Sequence, residues 1–176
     1  MKAEEDRKAD PGARSVHVPP SGTRGVPFPR FLARLGNRMV LRQFRRKRGA
    51  RTQGGLHAFV LETSGAKTGE VRRAVLGYIE EADDSWLVIA SAVGAARHPA
   101  WLHNLAKTPE AIVEFGNGRR VDVRAETLFD RDLAEAWRRI GSEAPEYIKY
   151  RSKTDRAIPV VRLRARTAPH ASPTSA

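Results

Sequence analysis

The fold is decided by residues 57–79, which read HAFVLETSGAKTGEVRRAVLGYI. The two outer runs, 57–63 and 71–79, are rich in the β-branched and aromatic residues that favour strands. Between them, the stretch from Ser64 to Gly69 contains two glycines and small polar residues, which is typical of a tight connection. The sequence therefore predicts a β-hairpin with its turn at residues 64–69.

This turn has the composition of an anion-binding loop. Gly65 and Gly69 let backbone N–H groups approach an anion closely, and Lys67 adds positive charge. Arg72 and Arg73 follow, and each offers forked N–H donors to phosphate or carboxylate. A nucleotide P-loop needs a different glycine-to-lysine spacing and a helix after it, so a nucleoside triphosphatase is disfavoured. An ordinary glycine-rich loop with one lysine is the other interpretation.

Beyond the hairpin, the sequence alternates between strand-like and helix-like segments. Strands are predicted at 85–90, 110–115, 119–128 and 157–163, with a Gly-Asn-Gly turn at 116–118. Helices are predicted at about 99–108 and 130–141, the second with Asp130 as its N-cap and Gly141 at its end. About six strands joined mostly by hairpins indicate an α+β fold, either an antiparallel sheet or a small barrel decorated by helices.

The chain has 176 residues, of which 40% are hydrophobic, and this suffices for one domain with its own core. We expect that domain to span residues 55–165. Residues 1–26 and 166–176 have no periodic apolar pattern, and proline, glycine and serine are frequent in them. They are predicted to be disordered or loosely draped tails.

The formal net charge of +12 is concentrated in residues 30–61, which carry nine basic residues and no acidic one. Within this region, residues 27–50 are predicted to form a basic amphipathic helix, with an apolar stripe beside a stripe of arginines. Three interpretations stay open: a helix packed on the domain, a peripheral anchor on an anionic membrane surface through residues 29–48, and a nucleic-acid contact. The last has least support, because no DNA-reading motif accompanies the arginines.

Several chemistries lack their sequence signature. The chain has no cysteine, which excludes disulfides, thiolate metal sites and cysteine catalysis. His98 and His103 have no acidic residue between them, so we predict no metal site. A signal peptide, a serine-nucleophile elbow and a run of about 18 apolar residues are also absent. We therefore expect a cytoplasmic protein, with association at the inner face of the cell membrane as an open variant.

A second informative stretch runs from Ser91 to Leu105 and reads SAVGAARHPAWLHNL. Here a predicted strand ends in a loop of small residues that leads into a helix. Backbone N–H groups and the helix dipole at such a point favour an anionic or carbonyl-rich ligand, and Arg97 adds charge. Trp101 and Leu105 share one helix face, for which core packing is the default interpretation.

A third stretch contains Tyr147 and Tyr150, which are three residues apart. On a helical turn the two phenols point the same way and can line a pocket, stacking on a planar ligand and donating a hydrogen bond. Two amphipathic surface tyrosines are the alternative interpretation.

Taken together and in order, these motifs resemble the deazaflavin-dependent nitroreductase family. That family has a Thr-Ser/Thr-Gly-x-Lys-Ser/Thr-Gly-x-x-Arg turn, matched here by residues 63–72. A strand ending in serine and a glycine-containing loop follow, here with Ser91 and Gly94. The next motif, Asn/His-Pro-x-Trp-x-x-Asn-Leu, is matched by residues 98–105. The C-terminal motifs, Tyr-x-x-Tyr and Thr-x-Arg-x-Ile-Pro-Val, are matched by residues 147–150 and 154–160.

The resemblance implies a split β-barrel related to flavin-mononucleotide-binding oxidoreductases. It implies coenzyme F420 as cofactor, a deazaflavin that carries a phosphate and an oligoglutamate tail. Phosphate and tail carboxylates would be held by Lys67, Thr68, Gly69 and Arg72. The deazaflavin ring would meet Ser91, Ala92, Gly94 and Arg97, supported by Pro99, Trp101 and Asn104. Because Ala66 and Ala92 stand where the family often has basic residues, Arg73 or Arg97 would complete the anion clamp.

The implied activity is hydride transfer from reduced F420 to an electron-poor small molecule such as a quinone, a conjugated carbonyl or a nitro compound. Ser91, Tyr147 and Tyr150 would be the catalytic residues, and a tyrosine hydroxyl or water would supply the proton. Two alternatives stay open: flavin mononucleotide in the same barrel, and a non-enzymatic cofactor-binding or docking protein. The sequence leaves the oligomeric state undecided.

Overall fold

The computed structural model describes residues 15–27, 39–47, 49, 51–52 and 55–166. Residues 28–38, 48 and 50 of the predicted basic helix and the outer parts of both predicted tails (residues 1–14 and 167–176) lie outside the described residues. Residues 39–46 are helical and form α1.

Six antiparallel strands close into a barrel within the described part of the chain. They are β1 (Ala58–Ser64), β2 (Val71–Glu81), β3 (Ser85–Ile89), β4 (Glu110–Glu114), β5 (Arg120–Thr127) and β6 (Val160–Ala165). Around the barrel the order is β1-β2-β3-β6-β5-β4, and β4 pairs with β1 to close it. The hairpin predicted at residues 57–79 is present, with Ser64 opposite Val71. The predicted α+β barrel is confirmed.

Three further helices decorate the barrel: α2 (Ala100–Lys107), α3 (Asp130–Glu143) and α4 (Glu146–Lys153). A one-turn 3-10 helix covers Ala92–Gly94. None of the helices in the described ranges has both the length and the apolar content needed to cross a bilayer.

The boundaries of α3 and of the last strand differ from the sequence-based prediction in ways that have a physical reason. The N-cap of α3 is Phe129 rather than Asp130, and the helix continues through Gly141 to Glu143. An internal glycine costs a helix only about 1 kcal/mol relative to alanine, and this helix has tertiary packing to offset that cost. The last strand starts at Val160 rather than at residue 157, because Pro159 has no N–H to donate to a strand ladder.

The core has two layers, one inside the barrel and one outside it. Trp86 and Val88 point into the barrel, whereas Leu87 and Ile89 belong to the outer cluster that α3 covers with Ile140. Both faces of β3 are therefore buried, which explains its continuous apolar sequence. Each fully buried large apolar side chain contributes about 1.5–3 kcal/mol to stability.

The outer face of β1 is covered by α1. Phe44 is 2% exposed and packs against Ala58 and Val60. The preceding residues of α1, Met39 and Val40, are 70% and 43% exposed. The described part of the basic helix thus packs on the barrel at Phe44 and exposes apolar side chains about one turn earlier, at Met39 and Val40.

Residues 15–27 form an N-terminal strap that lies on the barrel with defined contacts. Val16 is buried in the core cluster. The amide groups of Gly22 and Val26 donate to the carbonyl groups of Ala96 and Gly94, both at 2.9 Å. This arrangement differs from the disordered or loosely draped tail predicted for residues 1–26. The strap has no periodic apolar pattern because most of its contacts are made by its backbone.

Candidate active site

The cradle loop, residues 64–70, connects β1 to β2 and is closed by its own backbone. Gly65 N donates to Glu70 O, and Gly69 N donates to Gly65 O, both at 2.8 Å. Gly69 has a φ of 70°, in the left-handed region that glycine adopts without steric cost. Lys67 and Thr68 are exposed. The loop therefore combines a fixed backbone with an exposed ammonium group and an exposed hydroxyl group.

Asn104 fixes the cradle loop to α2. Its Oδ1 accepts a hydrogen bond from Ala66 N at 3.0 Å, and its Nδ2 donates to Thr63 Oγ1 at 2.9 Å. Lys107, one turn further along α2, donates from Nζ to Ala66 O at 2.7 Å. Asn104 is only 7% exposed. The structure thus places Asn104 against the cradle loop, whereas the resemblance assigned it to the support of the cofactor ring.

Arg72 and Arg73 leave β2 on opposite faces, because side chains alternate along a strand. Arg72 is opposite Thr63 in the register and lies 2.6 Å from Glu70 in the cradle loop. Arg73 lies on the outer face, where its Nε donates to Glu62 at 2.8 Å. The structure therefore places Arg72 against the cradle loop and Arg73 on the opposite face of β2.

The ion pair between Arg72 and Glu70 is exposed to solvent, with side-chain exposures of 55% and 65%. Exposed pairs of this kind contribute about 0–1 kcal/mol, because water screens both charges. An incoming phosphate or carboxylate can therefore compete with Glu70 for Arg72.

The 91–97 loop follows β3 and has an unusual backbone. Ala92, Val93 and Gly94 have φ values of 44°, 57° and 83°. Such a conformation costs about 1–2 kcal/mol for each non-glycine residue, so the surroundings must hold it in place. Gly94 packs closely on α4: a Cβ added to it would lie 2.9 Å from both Tyr150 O and Lys153 Cβ. Strained backbone of this kind is concentrated at functional sites.

Arg156 lies under the 91–97 loop and is 6% exposed. Its Nε donates to Ala95 O at 2.7 Å, and its Nη2 donates to Ala90 O and Ser91 O at 3.0 and 2.7 Å. Its Nη1 lies 3.2 Å from both His98 Nδ1 and Ala157 O. All five acceptors are neutral, and burial lowers the pKa of Arg156 from its usual value, although arginine stays charged.

His98 is also buried and takes a single tautomer. Because a guanidinium group only donates, His98 Nδ1 must accept from Arg156, so the ring proton is on Nε2. That nitrogen lies 3.3 Å from Pro20 O in the strap. Burial, followed by the charge of Arg156, lowers the pKa of His98. The imidazole is therefore neutral and joins the 91–97 region to the strap.

Arg156 and His98 lie within the ordered motifs of the sequence, but the motifs alone assign no role to either residue. The available signal was a basic side chain, Arg156, placed among small and apolar residues just before a strand. Three of its partners are backbone oxygens that lie 61 to 66 residues away along the chain, and these could not be read from the sequence.

Tyr147 and Tyr150 lie on α4 with their rings 5.5 Å apart in an edge-to-face arrangement. Both are partly buried against the outer core cluster, and burial is the main cause that raises the pKa of each phenol. Both phenols therefore stay protonated near neutral pH. Tyr150 reaches the 91–97 loop through its carbonyl oxygen beside Gly94.

The remaining predicted residues are divided between surface and core. Arg97 is exposed, whereas Ser91 is 7% exposed and its carbonyl group accepts from Arg156. Pro99 is the N-cap of α2 rather than its first residue. Trp101 is 8% exposed and packs in the barrel core, so it anchors α2 to the barrel.

Two cavities lie outside this region. One of about 360 Å³ is lined by α1 and the β4–β5 turn, and another of about 210 Å³ lies beside α3. Neither contains a predicted site residue, so the candidate site is defined by its contacts. In the described part of the chain, no group of three or more His, Asp or Glu side chains could hold a metal ion.

The candidate site is thus a continuous series of contacts. The cradle loop is tied to α2 by Asn104, the start of α2 is joined to the 91–97 loop, and that loop packs on α4. Residues 34–164, which include all of these parts, match the model of the F420H(2)-dependent quinone reductase family. The chain belongs to this family.

Known F420H(2)-dependent quinone reductases include clear relatives of this chain. One from Mycobacterium tuberculosis strain H37Rv is 36% identical over 121 residues, which are 67% of this chain and 80% of that protein. The solved F420-H2-dependent reductase FDR-A is 30% identical, covers 61% of this chain and 93% of its own, and superposes with a TM-score of 0.55. A protein solved as a domain-swapped dimer is 28% identical, with a TM-score of 0.56 and coverage of 78% and 100%.

These comparisons confirm the resemblance drawn from the ordered motifs. They also confirm that the barrel is of the kind found in F420-dependent reductases. Members of the F420H(2)-dependent quinone reductase family are oxidoreductases, as their name states.

Proposed function

We propose that this chain is an oxidoreductase that uses reduced F420 to reduce quinones. The observation that carries the proposal is the family match over residues 34–164, which includes both the cradle loop and the 91–97 loop. The contact between Asn104 and the cradle loop adds support, because it sets an anion-binding region beside the helix that the second loop opens.

The donor set of the site fits this cofactor. F420 carries a phosphate and carboxylates, and the cradle loop offers an ammonium group, a hydroxyl group and a guanidinium group on Lys67, Thr68 and Arg72. The space beside Gly69 is open, because this residue has no side chain and no atom lies within 4 Å of the position that a Cβ would occupy. We therefore assign the phosphate and the tail carboxylates to Lys67, Thr68, Gly69 and Arg72.

When bound, reduced F420 supplies the hydride, so the protein has to bind, orient and exclude water. We assign orientation to the 91–97 loop, whose backbone is held from below by Arg156 and from α4 by the packing at Gly94. The reduction of a quinone also consumes a proton. Tyr150 and Tyr147, whose phenols are protonated at neutral pH, are the groups we assign to donate it from their hydroxyl oxygens.

Titration of purified protein with F420, followed by fluorescence, tests the cofactor assignment. We expect saturable binding that Lys67→Ala and Arg72→Ala each weaken about tenfold, a loss of about 1.4 kcal/mol. Arg73→Ala is the matched control because its side chain lies on the outer face of β2, and it should change the affinity less than twofold, well under 1 kcal/mol. If Arg72→Ala and Arg73→Ala weaken the affinity for F420 equally, the assignment of the phosphate and carboxylates to the Arg72 face of β2 is overturned.

Turnover assays with reduced F420 and a panel of acceptors test the substrate class. We expect quinones to be reduced faster than conjugated carbonyl or nitro compounds. A purified protein that is yellow, shows a flavin spectrum and ignores F420 would overturn the proposal in favour of flavin mononucleotide.

We further propose that α1 associates with an anionic membrane surface. Exposed Met39 and Val40 lie beside the exposed basic residues Arg42, Arg46 and Lys47, while Phe44 keeps the helix attached to the barrel. Apolar side chains with adjacent cations are the combination that binds a lipid interface.

Flotation with anionic vesicles should be lost in the double variant Met39→Ser, Val40→Ser and kept in Phe129→Ser, which changes an exposed aromatic residue elsewhere. Equal flotation of both would reject the role.

A further inference from the structure

We propose that Arg156 is a positioning residue that sets the shape of the 91–97 loop and, through it, the affinity and reactivity of the bound cofactor. This inference rests on the proposed function of that loop. It assigns to Arg156 no contact with cofactor or substrate.

The hydrogen bonds of Arg156 exclude direct ligand binding. A guanidinium group has five N–H donors, and five acceptors surround it: four backbone carbonyl oxygens and one imidazole nitrogen. No donor remains for a phosphate or carboxylate. At 6% exposure the group also has almost no surface to offer a ligand. All five N–H groups of Arg156 donate hydrogen bonds within the protein.

The acceptors of Arg156 lie at both ends of the loop. Ala90 and Ser91 are where β3 leads into the loop, Ala95 is near its other end, and His98 comes just before α2. One side chain therefore fixes the entry and the exit of the strained segment around Ala92 and Val93. Such a segment persists only where its surroundings determine it, and Arg156 provides several of those contacts.

The contact with Ser91 also determines which backbone group faces outward. In a planar trans peptide unit, the C=O and N–H bonds point in opposite directions. Since Ser91 O points towards Arg156, the N–H of Ala92 in the same peptide unit points away from it. Arg156 thus fixes the orientation of the peptide unit between Ser91 and Ala92, at the start of the strained segment.

Lysine cannot reproduce this arrangement. It has three donors on a single nitrogen, so it cannot reach carbonyl groups on both ends of the loop in the planar fork that arginine uses. Arg156→Lys therefore keeps the positive charge and removes the geometry. Arg162→Lys is the matched control. Arg162 is also largely buried and binds Glu81 through two nitrogens, so a lysine loses the same fork there, but this partner is a carboxylate and not the backbone of the 91–97 loop.

Two measurements on the full chain test the proposal: the affinity for F420 by fluorescence, and amide hydrogen exchange of peptides covering residues 91–97. For Arg156→Lys we expect affinity about tenfold weaker and exchange in the loop at least about tenfold faster. In turnover, kcat should fall and the KM for reduced F420 should rise, while the KM for the quinone stays within about twofold. Arg162→Lys should leave affinity and loop exchange within about twofold of the unmodified protein.

A folded Arg156→Lys variant with unchanged affinity and unchanged loop exchange overturns the inference. If that variant does not fold, His98→Ala takes its place, since it removes one acceptor and keeps the guanidinium group. It should give a smaller change in the same direction, and unchanged loop exchange would again overturn the inference. If the unmodified protein does not bind F420, the proposed function fails, but the exchange measurement still decides whether Arg156 shapes the loop.

Discussion

Among single residues, His98 couples the interior of the site to pH. Its Nδ1 accepts from Arg156 and its Nε2 donates to Pro20 O in the strap, so the fold uses the neutral imidazole. Protonation would put a second positive charge against Arg156 and remove the acceptor. Of the titratable groups around it, Arg156 and His103 both act to lower its pKa, in addition to burial.

This arrangement predicts that acid destabilises the protein through His98. The unfolded chain takes up a proton near pH 6.5, the usual pKa of histidine, whereas the folded chain does so only at lower pH. Stability is therefore complete above about pH 6.5 and falls as the pH drops below that value. Urea unfolding at pH 7.5 and 5.0 should show a larger loss for the unmodified protein than for His98→Asn, which keeps an acceptor but does not titrate. The same loss in both proteins would rule out His98 as the cause.

The orientation of a side chain on a strand could be predicted from the sequence, whereas contacts between distant segments could not. That Arg72 and Arg73 face opposite ways follows from the two-residue period of a strand, and it could have been predicted once β2 was recognised. The partners of Arg156 could not, because the distances along the chain between Arg156 and its acceptors carry no local pattern. Asn104 is intermediate: its helix was predicted, but its bond to Ala66 depends on how α2 docks on the cradle loop.

Among the elements, the packing of the 3-10 helix at residues 92–94 on α4 depends on Gly94. This glycine has a φ of 83°, and a Cβ on it would lie 2.9 Å from Tyr150 O, a backbone atom that cannot move without moving α4. Gly118, in the β4–β5 turn, has a φ of 84° and nothing within 4 Å of an added Cβ. The two glycines therefore have the same backbone conformation in different surroundings.

Alanine at these two glycines should separate conformational strain from steric conflict. Gly118→Ala should cost about 1–2 kcal/mol, the price of a left-handed conformation for a residue with a Cβ. Gly94→Ala should cost about 1–3 kcal/mol more, because it also overpacks the contact with α4. Unfolding in urea measures both. Similar losses for both variants would show that the contact between the loop and α4 adapts without cost.

Strands were easier to predict than the end of α3. The continuous apolar sequence of β3 and the Gly-Asn-Gly turn before β5 indicate their structures locally, and the barrel has both. Gly141 is a local stop signal for a helix, but tertiary packing overrides it, as the burial of Ile140 one residue earlier shows. Local patterns thus predicted the strands well and the helix ends less well.

For the whole molecule, the largest unpredicted feature is the strap that joins the N-terminal part of the described chain to the start of β6. Asp155 accepts hydrogen bonds from Thr23 N at 3.0 Å, Thr23 Oγ1 at 2.6 Å and Arg24 N at 3.0 Å. The partners are more than 130 residues apart along the chain. Since two of the three donors are backbone groups, the amino-acid pattern of the strap could not have revealed this contact.

Docking of the strap should depend on the carboxylate of Asp155. The hydrogen bonds from Thr23 and Arg24 lower the pKa of Asp155 to about 2, from 3.8. An acid with a depressed pKa stabilises the docked form above about pH 3.8 and loses that effect as the pH falls towards 2.

At pH 7, Asp155→Asn should therefore release the strap, because the amide group lacks the charge and presents N–H donors to the donors of the strap. Trypsin cleavage after Arg24 reports the release: it should be about tenfold faster in Asp155→Asn and unchanged in Asp122→Asn, which changes an exposed aspartate on β5. If both variants are cleaved at the rate of the unmodified protein, the strap is held by its bonds to Gly94 and Ala96 and not by Asp155.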